Sequence, residues 1–140
     1  MASVWANSMM YPFSRPPRQP DAHVLLGVAW LRVAAAREAY GFGDLDGAQH
    51  HVKMATTVAA QALATHKGLP YETIDDAVAS ASFCCEQLGS AAEDLFRRIT
   101  ELGYVELTEE VLNDEQHDAV QSGLTASGEV VALVESVIEA

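Results

Sequence analysis

The stretch that decides the fold is residues 73–103, TIDDAVASASFCCEQLGSAAEDLFRRITELG. Its apolar residues Ile74, Val78, Ala81, Cys85, Leu88, Ala92, Leu95, Ile99 and Leu102 follow one another at steps of four and three. Steps of that kind keep side chains on one face of an α-helix, and a strand, which alternates every second residue, cannot use them. The spacing predicts one long helix with a heptad-like seam, ending at Gly103. Thr73 with Asp76 three residues on has the form of a capping box at its start, although Asp is shorter than the preferred Glu. Gly89 lies off the seam and is expected to weaken or bend the helix without ending it.

Two further helices are predicted upstream. Asp21 follows Pro20 and can accept hydrogen bonds from the opening amides of a helix over 22–40, whose buried stripe is Leu26, Ala29, Val33, Ala36 and Tyr40. Gly41-Phe42-Gly43 stops it, because glycine accepts the positive φ angles found at helix ends. Asp44 or Asp46 starts the second helix, with Leu45, Ala48, Val52, Ala55, Ala59 and Ala62 as its stripe. Alanines at a seam let a neighbouring backbone come close, so this helix is expected at the centre. It ends at Lys67, Gly68 and Pro70.

Downstream, Tyr104-Val105-Glu106-Leu107 alternates too briefly to form a sheet alone and reads as a connector. Thr108 can cap a fourth helix reaching about Gln121, with Val111, Leu112 and Val120 buried. Ser122-Gly123 interrupts it, and Leu124–Glu139 forms a short fifth piece carrying Val130, Leu133, Val134, Val137 and Ile138. The β-branched valines lower helix propensity there, yet no other convincing strand exists to pair with them. Residues 1–20 contain Pro12, Pro16, Pro17 and Pro20 and no helical period, and read as an irregular Pro-rich tail with Trp5, Met9, Met10, Tyr11 and Phe13 as apolar anchors. The expected fold is therefore all-α: an antiparallel bundle of four main helices in one domain over 21–140, a short fifth C-terminal helix, and the tail. The long seam of the third helix would suit a homodimer.

Composition narrows the function classes. With 140 residues, 49% of them apolar, the chain can fill one core. Residues 1–68 carry six basic and four acidic side chains, whereas residues 69–140 carry two basic and sixteen acidic, a net of −14 in that half against −12 overall. Such a charge disfavours direct binding to nucleic acid or to an anionic membrane and favours a protein partner with a basic surface. A solvated helical surface or adaptation to high salt would produce the same excess. No apolar run is long enough to span a bilayer, no secretory leader is apparent, and Cys84 and Cys85 are adjacent, so a cytoplasmic chain is expected. The candidate partner-binding residues are Glu93, Asp94, Glu106, Glu109, Glu110, Asp114, Glu115 and Asp118. Arg97 and Arg98, the basic island in that half, are expected to pair with neighbouring carboxylates.

Catalytic signals are weak. Asp46 with His50 and Asp114 with His117 have helical ligand spacing, but no inward carboxylates on the other helices complete a di-metal set, so no metal or other cofactor is expected. Cys85 falls on the seam, where a thiol behaves as a small apolar group. No phosphate-cradling glycine loop is present. Two local resemblances remain. His50-His51-Val52-Lys53-Met54 resembles the phosphoacceptor segment of histidine phosphotransfer domains, which implies His50 as phosphoacceptor and Lys53 as its electrostatic support, with Met54 standing where that family has glycine. Gly43-Asp44-Leu45-Asp46-Gly47-Ala48-Gln49-His50-His51 and the Ala-rich helix that follows are similar to HEPN helical domains. Their ribonuclease members need Arg and His close together on one helix, and here only Arg18 and His23 approach that, across Pro20. The sequence thus points to a non-enzymatic acidic interaction protein that regulates or inhibits its partner; a phosphotransfer-like bundle or a non-catalytic HEPN-like domain is the alternative.

Overall fold

The computed structural model describes residues 20–106 and 112–140. Its helices are α1 (Ala22–Gly41), α2 (Leu45–His66), α3 (Ala77–Leu88), α4 (Ser90–Gly103) and α5 (Asp114–Ile138), with a 3-10 turn at Tyr71–Thr73. There is no strand among the described residues, and the fold is all-α. The tail lies outside the described residues except for Pro20, as do Leu107, Thr108 and Val111.

The first two helices form as their sequence dictates. The Asp21 carboxylate accepts from the Val24 amide at 2.9 Å, and Asp44 accepts from Gly47 at 2.8 Å. Gly43 turns the chain between them at φ +80°. Backbone Asp44 donates to Ala39 at 2.8 Å and the Arg32 guanidinium to His51 Nδ1 at 3.1 Å, so α1 and α2 run antiparallel in register. The predicted stripe of α2 is wholly buried, but burial goes further: Ala55 through Ala60 and Ala62 through Ala64 are all buried, on every side of the helix. Small side chains make this possible, because α2 packs against α1, α3, α4 and α5 at once.

The region read as one long third helix is two. Gly89, at φ +78° and ψ −155°, is at once the last residue of α3's hydrogen-bonded turn, donating to Cys85 at 3.0 Å, and the residue that opens α4. That backbone geometry is accessible to glycine and strained for any side chain. Across the bend, Ala77 and Ala81 of α3 and Phe96, Ile99 and Thr100 of α4 line one cleft of about 260 Å³ over the floor of α2. Val78 accordingly leaves the predicted seam and is 79% exposed. Asp76 is itself the cap of α3, accepting from Ala79 at 2.7 Å, while Thr73 closes the preceding 3-10 turn instead of forming a capping box.

The predicted interruption at Ser122-Gly123 is absent. One helix, α5, runs through it, opened by a reciprocal capping box between Asn113 and Gln116. The separate fifth C-terminal helix is thus the second half of α5. A Cβ built on Gly123 would lie 2.5 Å from Leu102 Cβ, so this glycine is in the helix to let α4 approach. Ser122 and Glu129 both receive Arg98 from α4, and Trp30 of α1 donates to Glu135 at 3.4 Å. These pairings make α5 antiparallel to both α1 and α4. The buried side chains fall into a larger cluster around Leu25, Leu63, Phe96 and Val130 and a smaller one around Leu45, Val52, Leu102 and Leu124.

Candidate functional site

The end of α4 and the start of α5 are pinned side by side. Gln49 of α2 donates to the carbonyls of Leu102 and Val105, both at 2.9 Å, which holds the chain as it leaves α4. The Asn113 cap then launches α5 with Asp114 and Glu115 in its first turn, where the free amides of a helix start stabilise negative charge. Between these two ends lies an open depression of about 380 Å³ lined by Glu101, Glu106 and Glu115 together with Tyr104, Val105 and Gln116. No basic side chain lines it among the described residues. Asp114 and Asp118 are exposed on the same opening turns of α5. Tyr104, 79% exposed, offers an aromatic face beside the carboxylates.

The eight candidate residues therefore divide. Glu106 and Glu115 line the depression, with Asp114 and Asp118 beside them, whereas Glu109 and Glu110 lie outside the described residues. Glu93 and Asp94 sit at the other end of α4, roughly 12 Å along the helix from Glu101 at 1.5 Å per residue. Asp94 is not free: it accepts from Arg97 at 2.6 Å and lies 3.8 Å from Arg98. Arg97 also reaches Glu101 at 2.7 Å, and its pKa is raised by the hydrogen bonds it donates, to Asp94 first and to Glu101 second. Arg98 donates to the Ser122 hydroxyl at 2.8 Å and pairs with Glu129 at 3.2 Å. Both arginines of the acidic half are spent within it. Glu101 and Tyr104 were missing from the sequence-derived set, although their position on either side of the helix-ending Gly103 places them beside Glu106.

Other chemistry-bearing groups are arranged differently. Cys84 is fully buried, and its thiol is pushed up to about 12, by burial foremost and by neighbouring Cys85 next. Burial and then Glu93 raise Cys85 too. Since thiolate is the reactive form, a rise from 9 to about 12 leaves Cys84 with about a thousandfold less thiolate near pH 8. Iodoacetamide should therefore label Cys85 and spare Cys84 in the native chain and label both in denaturant, as read by peptide mass; early labelling of Cys84 would contradict its burial.

His51 accepts from Arg32 and so carries its proton on Nε2, while His50 is exposed, with its ring centroid 5.4 Å from that of His51. Lys53 is exposed and Met54 half-buried. His117 is held by the Tyr40 hydroxyl of α1, whose pKa is raised by burial, so the ring that shares a turn with Asp114 is directed to α1. Among the described residues no group of three or more His, Cys, Asp or Glu side chains is placed to hold a metal ion. Comparison with protein-family models, curated proteins and solved structures found no match.

Proposed function

We propose that this chain is a non-enzymatic interaction protein whose carboxylate depression between α4 and α5 docks a protein partner through a basic surface, and so regulates or inhibits it. The observation that carries this reading is the convergence of Glu101, Glu106 and Glu115 on one concavity without a basic side chain among the described residues lining it. Carboxylates so grouped raise the local concentration of a cationic surface and speed its encounter, and they imitate the spaced phosphates that a nucleic-acid-binding surface is built to receive. Exposed Tyr104 supplies apolar contact area that slows dissociation. A net charge of −12 opposes direct contact with nucleic acid or an anionic membrane. Among the described residues no helix is long and apolar enough to cross a membrane. The proposed compartment is the cytoplasm, where the free thiols of Cys84 and Cys85 remain reduced.

The test is capture of partners from lysate by the immobilised chain and by a Glu106→Lys, Glu115→Lys variant. Both positions are exposed or open to the depression, so the variant should keep its helical circular dichroism. The expected result is a partner with a basic surface retained by the natural chain in about 0.1 M salt and reduced about tenfold or more by the double reversal. Equal capture by both, or none by either, would dismiss the reading.

A further inference from the structure

Helix α1 is apolar on both sides. Its inner stripe, Leu25, Leu26, Ala29, Val33 and Ala36, is buried against α2 and α5. The opposite side carries Val24, Val28, Leu31 and Ala35 at steps of four, three and four, with Glu38 three residues further on and Phe42 just past the helix end. Val24 is 55% exposed, Leu31 70% and Phe42 84%. A helix that covers only one of two apolar faces leaves a surface that water disfavours, and a contiguous patch of this kind marks an interaction site.

We propose that this outer face binds a second copy of the chain, α1 against α1, antiparallel about a two-fold axis at Leu31. Three observations select that occupant. First, the face is self-complementary: about Leu31, Gly27 of one copy stands level with Ala35 of the other and Val28 with Ala34. A Cβ built on Gly27 meets nothing within 4 Å, so the backbones can close to the roughly 8–10 Å of packed helices. Second, charge permits this approach and opposes others. The hairpin of residues 21–68 has four basic and four acidic side chains, a net of zero, whereas residues 69–140 carry −14 and repel a like surface. Third, the charges of α1 fit the arrangement. Arg32 is turned to His51 and Arg37 lies over Gly128, which leaves Glu38 as the one charged side chain on the outer stripe. The antiparallel pairing brings Glu38 beside the exposed His23 of the other copy.

A helix of 20 residues is about 30 Å long and about 10 Å across, so the pair covers on the order of 300 Å² of each copy, below the roughly 800 Å² of a standard interface. Dimerisation is therefore concentration-dependent. It holds whether or not the carboxylate depression has a basic partner.

Light scattering on the full chain from low to high micromolar concentration tests this. The mass should rise from 15.0 kDa towards twice that value, and Leu31→Glu should stay at 15.0 kDa across the range with unchanged circular dichroism and melting temperature. Leu31→Cys, whose two thiols the axis brings together, should form a disulfide-linked dimer in mild oxidant where the natural chain does not. A natural chain that remains at 15.0 kDa throughout, as it would if its own residues 1–19 covered the face, overturns the proposal. So does self-association undiminished by Leu31→Glu, and the absence of the crosslink overturns the register.

Discussion

Replacing Ala60 with aspartate is expected to destabilise the chain by about 4 kcal/mol or more, which is a large part of the roughly 5–15 kcal/mol that holds a domain of this size together. Ala60 has no exposed surface. It sits in a run of α2 buried on all sides, with Thr57, Val58, Ala59 and Leu63, and no cationic side chain is buried among the described residues. An aspartate there must either keep its charge in an apolar surround or take up a proton at neutral pH, and both cost free energy that no partner returns. The site discriminates, because Ala60 is off the stripe Leu45, Ala48, Val52, Ala55, Ala59 and Ala62 and would face solvent on a helix with one buried face. Lys53→Glu, on the exposed side of the same helix, should change stability by no more than about 0.5 kcal/mol. Urea unfolding of the two variants reads the difference, and a mild effect at Ala60 would show that α2 is peripheral.

The second large effect concerns the approach of α4 to α5. Leu102 is 1% exposed, and it occupies the notch that Gly123 leaves. Leu102→Ala should cost about 2–5 kcal/mol through lost burial and the cavity left behind. Gly123→Ala should cost about 1–3 kcal/mol, since its new methyl would meet Leu102 Cβ, an atom that cannot move without its backbone. Leu102→Ala vacates the Leu102 Cδ2 position 2.8 Å from that methyl, so the double variant should be more stable than the two losses added together. Simple additivity in a denaturant series would mean that the Leu102 side chain beyond Cβ does not meet that methyl.

The same pair explains what the sequence did and did not disclose. Gly123 after Ser122 has the look of a break, and only the position of Leu102, distant in the chain, converts it into a contact that keeps α5 whole. Gly89 shows the converse. The step of four from Leu88 to Ala92 carries the heptad spacing across it unbroken, so periodicity had no means of registering a backbone that turns at φ +78°. In α1 and α2 the local signals agreed with one another, from the Asp21 and Asp44 caps to Gly43 and Gly68 at φ +80°, and those helices were readable to within a residue or two. The central place of α2 was readable from its alanines, but which residues off the stripe are buried was not, since periodicity assigns one inner face and small residues elsewhere carry no signal. The carboxylate site was legible as a region but not as a set. Glu106 and Glu115 meet because Gln49 pins the end of α4, whereas Asp94 is withdrawn by two arginines that sequence spacing had already marked as its partners.

The proposed function requires that the carboxylates between α4 and α5 attract the partner. Arg97 neutralises Asp94 and Glu101 from an exposed position, so removing it frees negative charge without opening the core. The decisive measurement is the affinity of the captured partner for the natural chain and for Arg97→Ala across a salt series. Tighter binding by Arg97→Ala at low salt, with the advantage fading as salt is raised, is the predicted result. Weaker or unchanged binding by Arg97→Ala, or an affinity indifferent to salt, would contradict the assignment of this face.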